Sequence, residues 1–519
     1  MNLIYMCVFH QESYINLLKL LVTSISVKGN INKDTTEILI ITSPTFEPLI
    51  EKEFESFDLP IQYFTIDLHT LFDAGCSRLN IFKYTNIHNY DTILYLDTDI
   101  LINSDMNVLF NLELSSDKIY ALEEGVISHD YWGAQFFDFS NYDRNTLAFS
   151  SGILLFRNSD SMKLLFNAIQ LHIEDYIFNK NNTIPNCLDQ PFIVYNAISQ
   201  SKYDNQLLKN YVENSPSNVT SSKVVYHFPG EIGVYQSKYT RMRFFWGKIM
   251  FFWEIKSIQT VNIYEDLWTC TDEMRLDIAN FFHDKTHFKI AEIGAHKGYT
   301  TKIISHIFSE VYAVDNSVEW TNFNKSYNKD RTNIVYVMLD IYTDSWNIIP
   351  DTIDVVFIDA GHGYEHCMSD IQNSLKQFTN LKYLIFDDYG VWDGVRKAVD
   401  EMIADGTLQF ERFIGAQDVL GLHGVVHKNT NEGIICRVNY PRFNLVNKKY
   451  SWANNSITFL ENGQMDAFGN GYYTKVDKHT IEAFFGGRMH SIVFNNDYTE
   501  FTSTRHGDSE IIKGGLITD

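Results

Sequence analysis

Short apolar runs, broken by turn residues and often ended by acids, organise this chain, and their character changes twice along it. Over about the first 240 residues, strand-length runs alternate with helical stretches. Leu3-Ile-Tyr-Met-Cys-Val-Phe9 precedes a helical run at 15–27, and the apolar stretch from Ile93 to Ile102 carries Asp97 and Asp99 at its middle. From about Phe288, short apolar runs alternate with helical stretches, the pattern of a parallel α/β sheet. Residues 441–519 switch again, to β-like runs at Ser456–Leu460, His479–Phe485, His490–Phe494 and Thr499–Ser503. Turn signals at Glu461-Asn-Gly463, Phe468-Gly-Asn-Gly471 and Asn495-Asn-Asp497 separate them, which predicts a small antiparallel sandwich or barrel.

At 519 residues the chain is too long for one ordinary core, and roughly three domains are expected. The pattern places them at 1–245 (α/β), 265–440 (α/β) and 441–519 (small, all-β, of unassigned role), with an aromatic and basic linker at 246–264.

Asp97 and Asp99 carry the first candidate chemistry. Alternate side chains of a strand share a face, so both carboxylates can point the same way. Hard oxygen ligands at a strand end suit Mg²⁺ or Mn²⁺. Such an ion could hold a nucleotide diphosphate and neutralise it as a leaving group. A surface turn after a buried strand would give the same spacing. The segments around this pair are Gln11-Glu-Ser-Tyr14, Phe149-Ser-Ser-Gly-Ile-Leu-Leu-Phe156, Leu188-Asp-Gln-Pro-Phe192 and His227-Phe-Pro-Gly230. In this order they resemble the glycosyltransferases of family 8 and the glycogenin-like enzymes, which have a GT-A fold.

The resemblance covers about the first 240 residues. It implies that Asp97, Asp99 and His227 hold Mn²⁺ or Mg²⁺ against the diphosphate of a nucleotide-sugar donor, UDP-linked and used with retention. It also implies catalytic positions under the donor sugar for Asp189 and Gln190, and substrate-binding positions for Val8, Arg78, Lys83, Ser150 and Lys238. Ser150 stands where the family usually has Asn, and Arg78 and Lys83 match basic positions near the diphosphate. Where the family often carries Lys-Pro-Trp, this chain reads Glu231-Ile-Gly-Val-Tyr-Gln-Ser-Lys238. Read singly, His227 could be a satisfied core histidine and Asp189 a helix cap.

Composition narrows the partners. A formal net charge of −23 argues against nucleic acid. The six cysteines are scattered without a C-x-x-C pair, the usage of reduced thiols rather than of a disulfide framework or zinc site. Residues 3–9 are too short for a signal peptide and follow no basic region. No apolar run approaches the roughly 20 residues of a membrane span. A cytoplasmic chain without a transmembrane segment is therefore expected. Arg241-Met-Arg-Phe-Phe-Trp-Gly-Lys-Ile-Met-Phe-Phe-Trp-Glu254 mixes basic and aromatic residues and has three readings: packing between domains, a cover for the sugar site, or an amphipathic helix in peripheral contact with a membrane.

The second α/β region opens with Phe288-Lys-Ile-Ala-Glu292-Ile-Gly294-Ala-His-Lys-Gly298, a strand running into a glycine turn of the kind that admits a ligand at a sheet's carboxyl edge. The next strand ends at Asp315, 23 residues after Glu292, where a carboxylate can grip ribose hydroxyls. The spacing E-x-G-x-x-x-G, rather than G-x-G-x-x-G, resembles motif I of class I S-adenosylmethionine-dependent methyltransferases. The likeness implies cofactor binding by Glu292, Gly294, Gly298, Asp315 and Asp340.

Ile353-Asp-Val-Val-Phe-Ile-Asp359-Ala-Gly-His362 and Leu384-Ile-Phe-Asp387-Asp388-Tyr then end neighbouring strands in acids, which places three carboxylates around one spot. Such a cluster repels itself unless a cation or protons intervene. Alternatively, Asp388 caps the following helix and Asp387 alone faces the cleft. The set resembles metal-dependent sugar O-methyltransferases of macrolide and aminocoumarin biosynthesis, which implies Mg²⁺ on Asp359, Asp387 and Asp388. His362, with an intrinsic pKa near neutrality, is the candidate general base. Gly433-Ile-Ile-Cys-Arg-Val438 would supply the last strand.

Together these features point to a bifunctional enzyme that transfers a sugar to an oligosaccharide or glycoprotein acceptor and O-methylates a sugar hydroxyl with S-adenosylmethionine. Such fusions resemble the multidomain glycan-synthesis enzymes of large DNA viruses. The competing class is a glycan-binding or scaffold protein with inactive enzyme-like domains.

Overall fold

The computed structural model describes residues 1–9, 11–68, 70–230, 235–261, 269–378, 380–417, 431–439, 445, 447–460, 463–475, 479–495 and 498–517. Residues 231–234 of the Glu231–Lys238 run lie outside the described residues, as do 262–264 of the expected linker and 461–462 and 496–497 of two turn signals. The chain forms two compact units, Met1–Met250 and Phe251–Asp519.

In the first unit a seven-stranded sheet runs in the order Ile61–Thr65, Thr36–Thr42, Asn2–Val8, Thr92–Leu96, Leu147–Arg157, Ile119–Val126 and Tyr203–Asp204. The first four strands are mutually parallel, and Leu147–Arg157 turns antiparallel to both of its neighbours. Both faces are covered, which is why the strands read as continuous apolar runs instead of alternating ones. Leu3, Tyr5, Tyr95 and Phe156 pack on one side; Ile4, Met6, Leu94 and Leu155 pack on the other. The helix Ser13–Lys28 contributes Leu18, Leu21, Val22 and Ile25 to that second face. A separate three-stranded sheet joins Ile100–Ile102, Val225–His227 and Val212–Asn214.

The second unit holds a seven-stranded sheet in the order Ile334–Met338, Glu310–Asp315, Lys289–Ile293, Val355–Ile358, Tyr383–Phe386, Asn431–Val438 and Leu408–Gln417. Five strands are parallel; Asn431–Val438 runs antiparallel to both of its neighbours, so Leu408–Gln417 at the edge points the same way as the five. Strand order reverses between Lys289–Ile293 and Val355–Ile358, so a ligand crevice is expected where these two strands end. Leu408–Gln417 is a strand the sequence analysis does not single out; its register slips between Phe410 and Arg412, and Phe410 and Phe413 stay exposed.

A third sheet in this unit is an antiparallel meander of eight strands: Lys449–Trp452, Asn455–Phe459, Gln464–Asp466, Asn470–Lys475, Thr480–Phe485, Arg488–Phe494, Glu500–Arg505 and Ile511–Gly515. Tyr450 bridges Leu516, and the Ile517 amide donates to the Lys449 carbonyl at 2.8 Å, so the ends meet in a near-closed barrel. Tyr450, Trp452, Phe459, Phe485 and Phe494 fill its interior. Four of the eight strands correspond to the expected runs. The others are short or polar, Gln464–Asp466 having only three residues.

The expected linker falls on a continuous helix, Tyr235–Val261. Within the first unit Phe245 packs edge-on against Tyr226 and Phe228; within the second, Ile255 joins the core of Met274, Ile278 and Ile435. Among the described residues no helix is long and apolar enough to cross a membrane.

Candidate functional site

Asp97 and Asp99 do not sit on one strand. The strand Thr92–Leu96 ends before Asp97, and Ile100–Ile102 belongs to the small sheet, so the acids occupy the turn where the chain passes between sheets. The Asp97 amide donates to the Gly152 carbonyl at 2.9 Å, and the Phe228 amide donates to the Asp99 carbonyl at 2.9 Å. Antiparallel pairing sets His227 opposite Ile100. Ligand atoms of Asp97, Asp99 and His227 thereby lie within 4.8 Å of one another.

This donor set suits a divalent ion. His227 Nδ1 donates to Asn214 Oδ1 at 2.8 Å, which turns Nε2 towards the acids, 3.4 Å from Asp99 Oδ1. Burial opposes the protonated ring but those acids favour it more, and a metal ion would take the place of that proton. That buried Asp99 oxygen accepts no hydrogen bond among the described residues. Burial opposes charge on Asp99, but His227 and Lys238 outweigh it and hold its carboxyl well below the usual range. Gly152 makes the approach possible: a Cβ there would meet His227 Cε1 and Nε2 at 2.8 Å and Asp97 Oδ2 at 3.3 Å.

Arg78 organises the floor of the site. Its Nε lies 3.0 Å from Asp189 Oδ2, its Nη1 donates to the Ser151 carbonyl at 2.7 Å and lies 3.6 Å from Asp97, and its guanidinium stacks 4.7 Å from the Tyr95 ring centre. The Tyr95 hydroxyl donates to Asp97. Asp189 occupies the N-cap position of the helix Gln190–Ser199 but makes no capping bond, its carboxylate being turned to Arg78. Burial pushes the Asp189 pKa up to about 6 against the pull of Arg78. Gln190 accepts from the Ser151 amide at 3.0 Å and donates to the Tyr131 carbonyl at 3.2 Å. Ser150 is buried, and its hydroxyl accepts from the Gly152 amide at 3.3 Å. Lys238 donates to Asp99 Oδ2 at 2.6 Å. Val8 is buried at the end of its strand, its carbonyl accepting from the Thr42 hydroxyl. Lys83 is exposed at the end of the 3₁₀ helix Cys76–Lys83, outside the contacts that tie Arg78 to the acids.

In the second unit Asp359, Asp387 and Asp388 come within 4.8 Å at neighbouring strand ends. Consecutive side chains of an extended strand diverge. Here Asp388 adopts φ of 60°, a left-handed turn that brings both carboxylates into the cluster. The helix Asp393–Ala404 starts later, with Trp392 at its N-cap, so Asp388 is not that helix's cap. Burial first, and then the neighbouring acids, raise the Asp359 and Asp387 pKa well above the carboxylate range. Crowded oxygen ligands of this kind suit Mg²⁺. His362 Nδ1 lies 2.8 Å from Asp388 Oδ2, and its ring stacks on Trp392 with 7° between the planes.

The glycine loop expected to meet a cofactor leaves the adjacent strand, Lys289–Ile293. At Gly294, with φ of 93°, a Cβ would stand 1.9 Å from the Asp359 carbonyl oxygen, so only glycine lets the loop lie against the acid-bearing strand. Asp315 receives the His296 and Ser317 amides at 2.8 Å each. Glu292 is buried and accepts from the Thr301 hydroxyl. Asn324 donates to Thr301 at 3.1 Å, and Asn328 donates to the Gly298 carbonyl at 2.9 Å, which ties both ends of the loop to one buried network. Asp340 is half-buried two residues past the strand Ile334–Met338 and accepts from the Tyr342 amide at 3.1 Å.

Some contributors escaped the sequence reading. Asn214 meets His227 through strand pairing between distant segments, which leaves no local signal. Tyr95 could have been found from its spacing of two from Asp97 on a strand end. Glu432, buried near the aspartate cluster, accepts from the Thr271 amide at 2.8 Å and adds to the repulsion felt by Asp359 and Asp387. Its signal is an acid opening an otherwise apolar run.

Residues 34–231 match the family model described as glycosyl transferase family 8, and residues 291–389 match a methyltransferase domain model. The chain thus carries a family 8 glycosyltransferase domain and a methyltransferase domain, on the two expected α/β folds, GT-A and Rossmann-like, followed by the small all-β domain. No curated protein matches the chain in sequence. Among solved structures it is similar to the apo form of the bifunctional glycosyltransferase WbbM, at 13% identity and TM-score 0.33 over 46% of this chain and 49% of that one. It is also similar to the galactosyltransferase LgtC in complex with donor and acceptor sugar analogues, at 12% identity and TM-score 0.34 over 47% and 95%. A third is mouse xyloside xylosyltransferase 1, at 10% identity and TM-score 0.32 over 44% and 98%. The chain spans about half the length of WbbM.

Two expected outcomes follow from this geometry. Gly152→Ala should displace the His227 ring and weaken Mn²⁺ binding by about tenfold or more, measured by titration, with the chain still folded by circular dichroism. The second concerns Glu292, whose pKa burial pushes up to about 8 from an ordinary 4.5. Between those values the unfolded chain releases a proton that the folded chain keeps, so the stability of the unit falls as pH rises from about 4.5 to about 8. Glu292→Gln should flatten the dependence of the melting temperature on pH across that window. An unchanged slope would show that Glu292 does not titrate there.

Proposed function

We propose that this chain is a bifunctional glycan-building enzyme. Its first domain transfers a sugar, with retention, from a UDP-linked donor to a glycan acceptor; its second O-methylates a sugar hydroxyl with S-adenosylmethionine. The observation that carries the reading is the pairing, in one chain, of two assembled ligand clusters, Asp97/Asp99/His227 and Asp359/Asp387/Asp388, with domains of these two transferase types.

In the first domain Asp97, Asp99 and His227 would hold a divalent ion, which supplies charge neutralisation to the departing diphosphate. Arg78, fixed by Asp189 and Ser151, orients the acids beneath the donor. Asp189 and Gln190 lie under the sugar ring. The acceptor hydroxyl oxygen bonds to the anomeric carbon as the bond to the diphosphate breaks; the diphosphate leaves with the electron pair and takes up the hydroxyl proton.

In the second domain Glu292, Gly294, Gly298, Asp315 and Asp340 position the cofactor. Asp359, Asp387 and Asp388 would hold Mg²⁺, which makes a sugar hydroxyl more acidic. Asp388 engages His362 Nδ1, so the proton from the hydroxyl passes to Nε2. The hydroxyl oxygen bonds to the methyl carbon, the carbon–sulfur bond breaks, and sulfur keeps the electron pair. Sugar transfer before methylation is the order we favour. A composition rich in Asn, Ile, Lys and Tyr is compatible with the AT-rich genome of a large DNA virus acting in the host cytoplasm.

Thermal shift separates this reading from that of an inactive scaffold. The enzyme should be stabilised both by S-adenosylhomocysteine and by UDP with Mn²⁺, whereas a scaffold would respond to neither. Asp99→Ala should lower sugar transfer by about a hundredfold or more while leaving stabilisation by S-adenosylhomocysteine intact. Asp388→Ala should do the converse, losing methyl transfer but keeping cofactor and UDP binding. His362→Ala should slow methyl transfer by roughly a hundredfold. Methylation at full rate in EDTA would remove the metal from the second mechanism.

A further inference from the structure

The two acids of the donor site have different cationic neighbours. Arg78, beside Asp97, is buried and committed to Asp189 and the Ser151 carbonyl, so it cannot leave. Lys238, beside Asp99, is a point charge on a four-carbon stem near the start of the helix Tyr235–Val261, and its ammonium has Asp99 as its hydrogen-bond partner among the described residues. The 2.6 Å contact joins side chains that are 21% and 14% exposed, which makes it stronger than a surface ion pair. Asp99 is also the acid that faces His227 Nε2. Any ion entering the trio therefore competes with an ammonium for one of its carboxylates.

We infer that Lys238 is an exchangeable cation: it neutralises Asp99 until a divalent ion takes that carboxylate, and the released ammonium then pairs with the donor diphosphate. The inference rests on the reading of Asp97, Asp99 and His227 as the donor metal site. Its consequence is a thermodynamic coupling. The ion alone must strip Lys238 of its partner, whereas the ion with a nucleoside diphosphate provides a new one. Each ligand then tightens the other, by the same factor in both directions. The site would discriminate against free metal and load ion and donor together.

The test is Mn²⁺ binding to the full chain, followed by electron paramagnetic resonance of the free ion, with and without UDP or GDP. Lys238→Met should bind Mn²⁺ alone about tenfold more tightly than the parent chain and lose most of the gain conferred by the nucleotide. Lys238→Arg, which keeps the charge, should stay close to the parent. A merely structural lysine would weaken binding in both conditions when removed. Unchanged or weaker Mn²⁺ binding by Lys238→Met overturns the exchange. Failure of the parent chain to show Mn²⁺ binding that Asp99→Asn abolishes would instead overturn the metal site itself.

Discussion

Like charges repel, and in both units the fold holds carboxylates within 4.8 Å of one another regardless. What makes this tenable is backbone hydrogen bonding. Asp97 and Asp99 are pinned by amide–carbonyl bonds to Gly152 and Phe228, and Asp359 and Asp387 by amide bonds to Ile293 and Ile358. The main chain fixes where the acids start, and side-chain partners such as Tyr95, Lys238 and Asn214 then orient the ligand atoms of the first site. The units then balance the charge differently. The first sets Arg78, Lys238 and His227 beside its acids, whereas in the second burial and mutual repulsion raise the pKa of Asp359 and Asp387.

That difference suits the chemistry proposed for each. A diphosphate brings negative charge into the first site, and the cations Arg78 and Lys238 are already there to meet it. A neutral sugar hydroxyl brings none into the second, where acidity has to be created. The buried network of Glu292, Thr301, Asn324 and Asn328 holds the glycine loop beside the acid-bearing strand.

Much of this was legible in the sequence because its signals are local. Apolar strands ending in acids marked Asp97, Asp315, Asp359 and Asp387, and the glycine spacing after Glu292 marked the loop. Strand alternation predicts that Asp97 and Asp99 share a face, whereas a turn between two sheets brings them together. Non-local pairings left no trace, which is why Asn214 was missed and Leu408–Gln417 went unread. The β domain was expected from its turns, but closure depends on Tyr450 meeting Leu516, residues with nothing between them in sequence to announce the contact.

Asp388 sits in a left-handed conformation, which costs most side-chain-bearing residues about 1–2 kcal/mol and aspartate less. Glycine would relieve that strain, so retaining an aspartate means forgoing stability that a single substitution could recover. The position is therefore a sensitive recorder of use. In a lineage that no longer needed methyl transfer, neutral drift would be biased towards a small or amide residue here before the buried Asp359 or Asp387 changed, and the backbone would outlast the chemistry it was bent to serve.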